Sequence, residues 1–128
     1  MKLLLDTVAF LDSGLASGRL STRAKDSLLD PENELYVSVV SSLEIAIKYS
    51  LGKLELPGGP HDFIPEHRKK LSAEMLSLDE ESVLHLIRLP HLHGDPFDRL
   101  LVCQAIVHGM VIVTHDPEIS RYPVRTVW

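Results

Sequence analysis

The stretch that decides the fold runs from Leu89 to Asp116 and reads LPHLHGDPFDRLLVCQAIVHGMVIVTHD. Asp95 is a natural N-cap and Pro96 suits the first helical position, so a helix is predicted to begin here. Gly109 suits the left-handed position beyond a helix end, and the apolar run Met110–Val113 is typical of a buried parallel strand. The stretch therefore predicts a helix that leads directly into a central strand.

This order of elements brings two acids together. A helix that feeds directly into a parallel strand runs antiparallel to it, so the helix start and the strand end lie at one edge of the sheet. Asp98 falls in the first helical turn, and Asp116 follows the strand. We expect both at the carboxyl edge, where open α/β folds bind their ligands.

The remaining sequence alternates between strand and helix patterns. Strands are predicted at Lys2–Leu5, Leu35–Val39, Met75–Leu78 and Val124–Val127, and helices at Val8–Leu15, Ser21–Leu29, from a cap at Ser41 or Ser42 to Leu51, at His61–Leu71 and from a cap at Asp79 to Arg88. Leu43, Ala46, Ile47 and Leu51 are predicted to form the apolar stripe of the third of these helices. This alternation predicts an α/β fold, a three-layer α/β/α sandwich around a mainly parallel sheet of about five strands, in a single domain spanning residues 1–128.

The composition favours an ordinary globular protein of a reducing compartment. The chain has 128 residues, 45% hydrophobic and 24% charged, with a formal net charge of −5. The negative charge argues against nonspecific nucleic-acid binding through bulk charge, although it leaves a specific nucleic-acid site open. The lone Cys103 excludes an intramolecular disulfide, suits a reducing cytosol, and is expected to be a core residue. Asp6 interrupts the first apolar run and no apolar run is long enough to span a bilayer, so a cytoplasmic location is expected.

Four carboxylates are predicted to converge at the carboxyl edge of the sheet. Asp6 ends the first strand, and Glu44 lies on the helix that leaves the second strand. Crowded like charges raise one another's pKa unless a cation neutralises them, and oxygen ligands of this kind select Mg²⁺ or Mn²⁺. Such a site suits metal-assisted hydrolysis of a phosphodiester. The predicted catalytic and metal-binding residues are Asp6, Glu44, Asp98 and Asp116, with Thr114 and, with less support, Thr7 placed to orient a carboxylate, a water or a phosphate.

Each acid also has a purely structural explanation. Asp98 complements a helix dipole, Asp116 with Pro117 is a turn signal, and Glu44 can be a solvated helix residue. Asp95 is interpreted as a cap. The joint placement of four acids at one edge is what favours a functional site.

Several segments in order resemble PIN-domain ribonucleases of the VapC type, the toxins of type II toxin–antitoxin pairs. They are LLLDT at the start, SSLEIAIKYSLGKLELP in the first half, LPHLHGDPFDRLLVCQA and VIVTHD. The resemblance covers essentially the whole chain. It implies a parallel sheet flanked by helices, a Mg²⁺- or Mn²⁺-dependent RNA endonuclease, a homodimer, and a cognate VapB-like antitoxin that inserts a segment into the acidic groove.

The family's acidic quartet matches Asp6, Glu44, Asp98 and Asp116 by motif, with Thr114 as the hydroxyl near the last acid and Asp95 in the DPFDR signature as a supporting residue. The chain departs from close relatives at two positions. Val8 stands where histidine is frequent and Asp12 where tryptophan is frequent, and neither change touches the quartet. Both bear on substrate preference and rate more than on metal binding.

Other polar residues carry weaker signals. His91 and His93 flank the acidic loop, and an incidental polar pair is favoured over contacts to RNA or metal because no matching third and fourth ligands are evident. Arg99 is equally suited to hold a phosphate or to pair with an acid. The basic stretch from His67 to Lys70 is interpreted as a solvated helix face rather than a guide for a phosphate backbone.

Two other functions compete with the ribonuclease. A phosphatase or phosphotransferase using Asp6 as nucleophile usually needs a second acid two residues later, where this chain has Val8. A noncatalytic interaction module would use the acids only to hold a partner's arginines. The complete quartet favours the ribonuclease over both.

Overall fold

The fold is built on a five-stranded parallel sheet. The computed structural model describes residues 1–15 and 17–128. Its strands are β1 (Lys2–Leu5), β2 (Glu34–Ser38), β3 (Glu74–Leu76), β4 (Val111–Val113) and β5 (Thr126–Val127), in the spatial order β3-β2-β1-β4-β5. Every pair is parallel. The sheet has β1 at its centre, as expected for a strand with three buried leucines.

Helices cover both faces of this sheet. They are α1 (Thr7–Leu15), α2 (Thr22–Leu29), α3 (Val39–Ser50), α4 (Gly59–Lys70), α5 (Glu80–Leu84), α6 (Pro96–His108) and α7 (Pro117–Ser120), with a short 3₁₀ turn at His85–Ile87. Leu3 and Leu5 pack with α1, α2 and α4, whereas Leu4 packs on the opposite face with α6 and α7. The predicted three-layer α/β/α sandwich is confirmed. No helix in the described part of the chain is both long and apolar enough to cross a membrane.

The decisive stretch folds as predicted at both ends of its helix. The side chain of Asp95 accepts hydrogen bonds from the amides of Phe97 and Asp98, at 2.9 and 3.1 Å. Gly109 ends α6 with φ of 66°, a left-handed conformation that favours glycine. Cys103 is buried inside this helix, as expected.

The start of α3 differs from the prediction. Its N-cap is Ser38, whose hydroxyl accepts a hydrogen bond from the amide of Val40, so neither Ser41 nor Ser42 caps the helix. Strand β2 passes into α3 without a loop, which turns a different face of the helix inward. Glu44 is therefore buried in the second turn.

The apolar stripe predicted on α3 faces outward and does not contribute to the core. Leu43, Ile47 and Leu51 are all exposed, and the buried positions are Val40, Ser41, Glu44 and Ile45. The outward stripe repeats every fourth residue and includes Val39, which is also exposed. The outward stripe is thus an exposed apolar face of α3.

Two further elements differ in extent. The helix predicted from Asp79 to Arg88 is shorter and passes into the 3₁₀ turn after Leu84. The turn predicted after Asp116 is instead the short helix α7, capped by the Asp116 side chain.

Candidate functional site

Asp6 and Thr114 lie side by side because β1 and β4 are adjacent and in register. Leu5 is opposite Val113, and the amide of Asp6 donates to the Val113 carbonyl at 3.1 Å. The Thr114 hydroxyl donates to Asp6 Oδ2 at 2.5 Å, and the amide of Ala9 donates to Oδ1 at 2.7 Å. Both carboxylate oxygens are thus held by elements that leave the same edge of the sheet.

The environment of Asp6 opposes its ionisation. The residue is only 4% exposed, and burial raises its pKa from 3.8 to about 6. The charge of Asp116 raises this pKa further, while the hydrogen bonds from Thr114 and Ala9 and the charge of His115 lower it. At neutral pH the carboxylate is ionised at a free-energy cost.

Asp98 reaches the same edge from the first turn of α6. Burial raises its pKa to about 6, and the negative charges of Asp95, Asp116 and Glu44 add to the increase. A hydrogen bond from His93 acts in the opposite direction. Asp98 therefore lies within the electrostatic field of two other members of the predicted quartet.

Glu44 already has a cation beside it. Its Oε2 accepts a hydrogen bond from Lys48 Nζ at 2.6 Å, one helical turn later on α3. Its other oxygen, Oε1, is buried and has no hydrogen-bond partner among the described residues. The hydrogen bond to Glu44 raises the pKa of Lys48, and the charges of Glu44, Asp95 and Asp98 raise it further. The Lys48 ammonium is thus held within the field of the acids.

Asp116 affects both carboxylates whose pKa is raised, because its negative charge raises the pKa of Asp6 and the pKa of Asp98. Its amide donates to Thr114 Oγ1 at 3.0 Å, and its Oδ1 accepts from the amide of Glu118 at 2.9 Å. Thr114 therefore bridges Asp6 and the backbone of Asp116.

The four acids face one edge without forming a compact ligand cluster. Within residues 1–15 and 17–128, no three His, Cys, Asp or Glu side chains are grouped closely enough to hold a metal ion. Lys48 holds one oxygen of Glu44, and the cap of α7 holds one oxygen of Asp116.

The supporting residues have different surroundings. Thr114 contacts an acid directly, and Asp95 caps the helix that carries Asp98. Thr7 is buried, and its hydroxyl donates to Ser41 Oγ at 2.9 Å, which ties the start of α1 to α3. The Thr7 hydroxyl therefore bonds to Ser41 rather than to one of the four acids.

Arg99 pairs with no acid among the described residues, and its contacts are with a carbonyl and a phenol. It is 8% exposed, and its Nη1 donates to the Pro90 carbonyl at 3.0 Å and to Tyr122 Oη at 3.1 Å. The basic stretch is not wholly solvated either, because His67 is buried between α1 and α4. Of the two departures from close relatives, Val8 is exposed and Asp12 is buried.

Sequence reasoning treated His93 as an incidental polar residue and did not name Tyr122, and both are linked to Asp98. His93 Nε2 lies 3.2 Å from Asp98 Oδ2, and His93 Nδ1 lies 2.6 Å from Tyr122 Oη. The H-x-H spacing before the acidic loop was the available signal for His93. Nothing in the sequence indicated Tyr122, which follows α7.

Comparisons with known proteins bear on the family and the fold of the chain. The family model described as PIN domain matches residues 3–124. A curated relative is Ribonuclease VapC16 of Mycobacterium tuberculosis, 34% identical over 56 residues, which are 44% of this chain and 40% of that protein. The chain thus matches well under half of the length of this relative.

Solved structures share the fold over nearly the whole chain. VapBC2 from Rickettsia felis, bound to a promoter DNA fragment, superposes with a TM-score of 0.76 at 15% identity, covering 99% of this chain and 98% of that one. DNA-bound VapBC from Salmonella typhimurium gives a TM-score of 0.68 at 18% identity, covering 99% and 97%. Since the family model spans nearly all of the sequence and these structures repeat its sheet and helices, the chain belongs to the PIN domain family.

Proposed function

We propose that residues 1–128 form a single PIN domain that acts as a divalent-metal-dependent endoribonuclease, the toxin of a VapBC-type toxin–antitoxin pair. The observation that carries the proposal is the pair of carboxylates, Asp6 and Asp98, whose pKa values are both raised to about 6 at one sheet edge. Groups with strongly perturbed pKa values cluster at functional sites. The ribonuclease relative and the family membership support the same activity.

The donor set fits a hard divalent cation. Glu44 Oε1 is a buried carboxylate oxygen without a hydrogen-bond partner in the part of the chain that the structure describes, which is a costly arrangement unless a cation or donor binds there. The ligands offered are carboxylate oxygens, which favour Mg²⁺ or Mn²⁺ over softer metals. The residues that would hold the ion are Asp6, Glu44, Asp98 and Asp116. When bound, it would activate a water for attack on an RNA phosphodiester and stabilise the negative charge on the phosphate.

The chain's own residues prepare the carboxylates for this task. Thr114 and the Ala9 amide hold the two oxygens of Asp6, which keeps this side chain in one orientation. Asp95 caps α6 and so fixes the turn that carries Asp98. Lys48 neutralises part of the charge of Glu44 and offers an ammonium to an incoming phosphate.

A cytoplasmic VapB-like antitoxin is the proposed protein partner. The structural relatives are themselves VapBC complexes. The contact between Lys48 and Glu44 supports this partner, because an antitoxin that presents arginine or lysine could pair with the acids in the same way and compete with the divalent ion. The reducing compartment inferred from the single cysteine is consistent with a cytoplasmic pair.

A homodimer is proposed through the outward stripe of α3. Val39, Leu43, Ile47 and Leu51 are 39–62% exposed and repeat every fourth residue. Exposed apolar patches of this regularity mark interaction surfaces. Leu43→Glu is expected to yield a monomer in light scattering, whereas Leu29→Glu, at an exposed leucine of α2, is expected to leave the mass unchanged.

Cleavage of RNA under metal control tests the proposed activity. The purified chain is incubated with a mixed RNA substrate in Mg²⁺ or Mn²⁺, after EDTA treatment, and after EDTA followed by excess metal. We expect cleavage in the first and third conditions and none in the second. Cleavage that persists in EDTA contradicts metal-dependent catalysis, and binding of basic peptides without cleavage in any condition favours the interaction module.

A further inference from the structure

A chain of hydrogen bonds leads from a buried guanidinium to the carboxylate of Asp98. Arg99 Nη1 donates to Tyr122 Oη at 3.1 Å, and Tyr122 Oη lies 2.6 Å from His93 Nδ1. His93 Nε2 lies 3.2 Å from Asp98 Oδ2. Four residues from three separate segments are thus connected in series.

Counting donors and acceptors assigns the proton positions along this chain. Tyr122 Oη also accepts a hydrogen bond from the amide of His93, at 3.2 Å. With Arg99 as a second donor, both acceptor positions of the phenol oxygen are filled, so its own proton is directed to His93 Nδ1. Nδ1 is then an acceptor, and the neutral imidazole carries its proton on Nε2, facing Asp98.

The surroundings hold this chain in place. Tyr122 is 3% exposed, and the Arg99 guanidinium lies 6.0 Å from the centre of its ring. Arg99 also donates to the Pro90 carbonyl, which anchors it to the loop before α6. Arg99 and Tyr122 therefore have little freedom to rotate, and their hydrogen bonds hold the His93 imidazole in one orientation.

We propose that His93 and Tyr122 are positioning residues for Asp98: Tyr122 keeps His93 in the Nε2–H tautomer, and His93 holds Oδ2 so that the other carboxylate oxygen is oriented for a divalent ion. The inference rests on the proposed function, because it assigns Asp98 as a metal ligand. A ligand that is already oriented loses less conformational freedom when the ion binds. Removal of such outer contacts typically weakens metal affinity by about 10–100-fold.

Two readouts that do not require RNA cleavage test this proposal. Titration calorimetry measures Mn²⁺ affinity, and ¹⁵N NMR of the imidazole ring measures which nitrogen of His93 is protonated. Tyr122→Phe removes only the hydroxyl and is expected to weaken Mn²⁺ binding by about 10-fold and to give a mixture of His93 tautomers. His93→Ala is expected to weaken binding by about 10–100-fold, and His93→Gln to restore most of it because its side-chain amide can also donate to Asp98.

Matched variants separate positioning from general stability. Tyr49→Phe and His61→Ala alter exposed residues of α3 and α4 and are expected to leave Mn²⁺ affinity unchanged. A purely structural role of Tyr122 would lower the Tm without changing the affinity of the folded protein or the tautomer of His93. If His93→Ala does not fold, Tyr122→Phe and His93→Gln carry the test.

The outcomes distinguish this inference from the proposed function. Asp98→Asn is expected to lose Mn²⁺ binding. If it does so while Tyr122→Phe and His93→Ala bind within about twofold of the parent protein, the positioning role is overturned and the proposed metal site stands. If Asp98→Asn binds Mn²⁺ normally, Asp98 is not a ligand and both proposals fail together. A His93 ring protonated mainly on Nδ1 in the parent protein overturns the assigned chain on its own.

Discussion

Asp6 and His67 are two buried ionisable residues in different parts of the molecule. Asp6 lies at the carboxyl edge of the sheet and is held by the Thr114 hydroxyl. His67 lies between α4 and α1, 2.7 Å from the Ser13 hydroxyl and with its ring centre 5.1 Å from that of Phe10. Each is buried and each contacts one hydroxyl, so burial alone does not tell them apart.

The two residues differ in the pH range where burial is costly. Burial raises the pKa of Asp6 to about 6, whereas burial, together with the charge of Lys70, lowers the pKa of His67. Near neutral pH His67 is therefore uncharged, and its burial carries no cost of ionisation. Asp6 is ionised, and both its burial and the negative charge of Asp116 disfavour that ionised form. A buried group that is charged at neutral pH and lies near a like charge is typical of a functional site, whereas a buried neutral group is typical of packing.

The largest expected contrast between these regions is in RNA cleavage. Asp98→Asn removes a proposed metal ligand, and the loss of several kcal/mol of transition-state stabilisation corresponds to roughly a thousandfold lower rate. His67→Gln is expected to cleave RNA at close to the parent rate. Single-turnover kinetics in Mn²⁺ measures both, with Asp26→Asn on the exposed face of α2 as a matched control. Parent-like cleavage by Asp98→Asn would remove Asp98 from the site.

The next contrast is in stability against pH without metal. Burial raises the pKa of Asp6 from its ordinary value of 3.8 to about 6 in the folded chain, so the native state binds more protons between these pH values. Its contribution to stability is full below about pH 4 and is lost as the pH rises through 6. Asp6→Asn cannot ionise, so it is expected to be more stable than the parent by about 1–3 kcal/mol near pH 8 and similar near pH 4. Urea unfolding in EDTA measures this, and a variant less stable than the parent near pH 8 contradicts it.

Local rules were sufficient for the elements that carry Asp6 and Asp98. Asp95, Pro96 and Gly109 delimit α6 through capping and backbone preferences that act within a few residues. Parallel strand order then brings both acids to one edge without knowledge of any tertiary contact.

Local rules failed where the chain offered three equivalent N-caps. Ser38, Ser41 and Ser42 are all suitable caps, and which one begins α3 depends on where β2 leaves the sheet. This choice decided whether Glu44 or the Leu43 stripe faced inward. The link between Tyr122 and His93 was beyond local rules, because the two residues are 29 positions apart and meet only after α6 and α7 have packed.

Lys48 supplies a positive charge within the acidic site, because its i,i+4 spacing from Glu44 places its ammonium beside that carboxylate. Lys48→Met leaves the buried Glu44 carboxylate without its partner, which is expected to destabilise the metal-free protein by about 1 kcal/mol. The same change removes a positive charge from the site, so Mn²⁺ is expected to bind several-fold more tightly. Calorimetry and urea unfolding measure the two effects, and Lys53→Met, an exposed lysine, serves as control. Weaker Mn²⁺ binding in Lys48→Met would indicate that the ammonium assists the ion rather than competing with it.

The smallest expected effect is at His67, where the direction of the pH dependence is opposite to that of Asp6. Because burial lowers the pKa of His67 below its ordinary value of 6.5, the unfolded chain takes up the proton first as the pH falls. The stabilising contribution of the neutral ring is therefore present above that value and is lost on acidification through it. His67→Gln is expected to show a smaller drop in Tm than the parent between about pH 8 and pH 5, by roughly a few degrees, whereas His61→Gln on the exposed side of α4 should follow the parent. The His67 ring packs against Phe10 and Phe63, so its protonation should oppose folding. An equal fall in Tm for the parent and His67→Gln would mean that another group takes up the proton on acid unfolding.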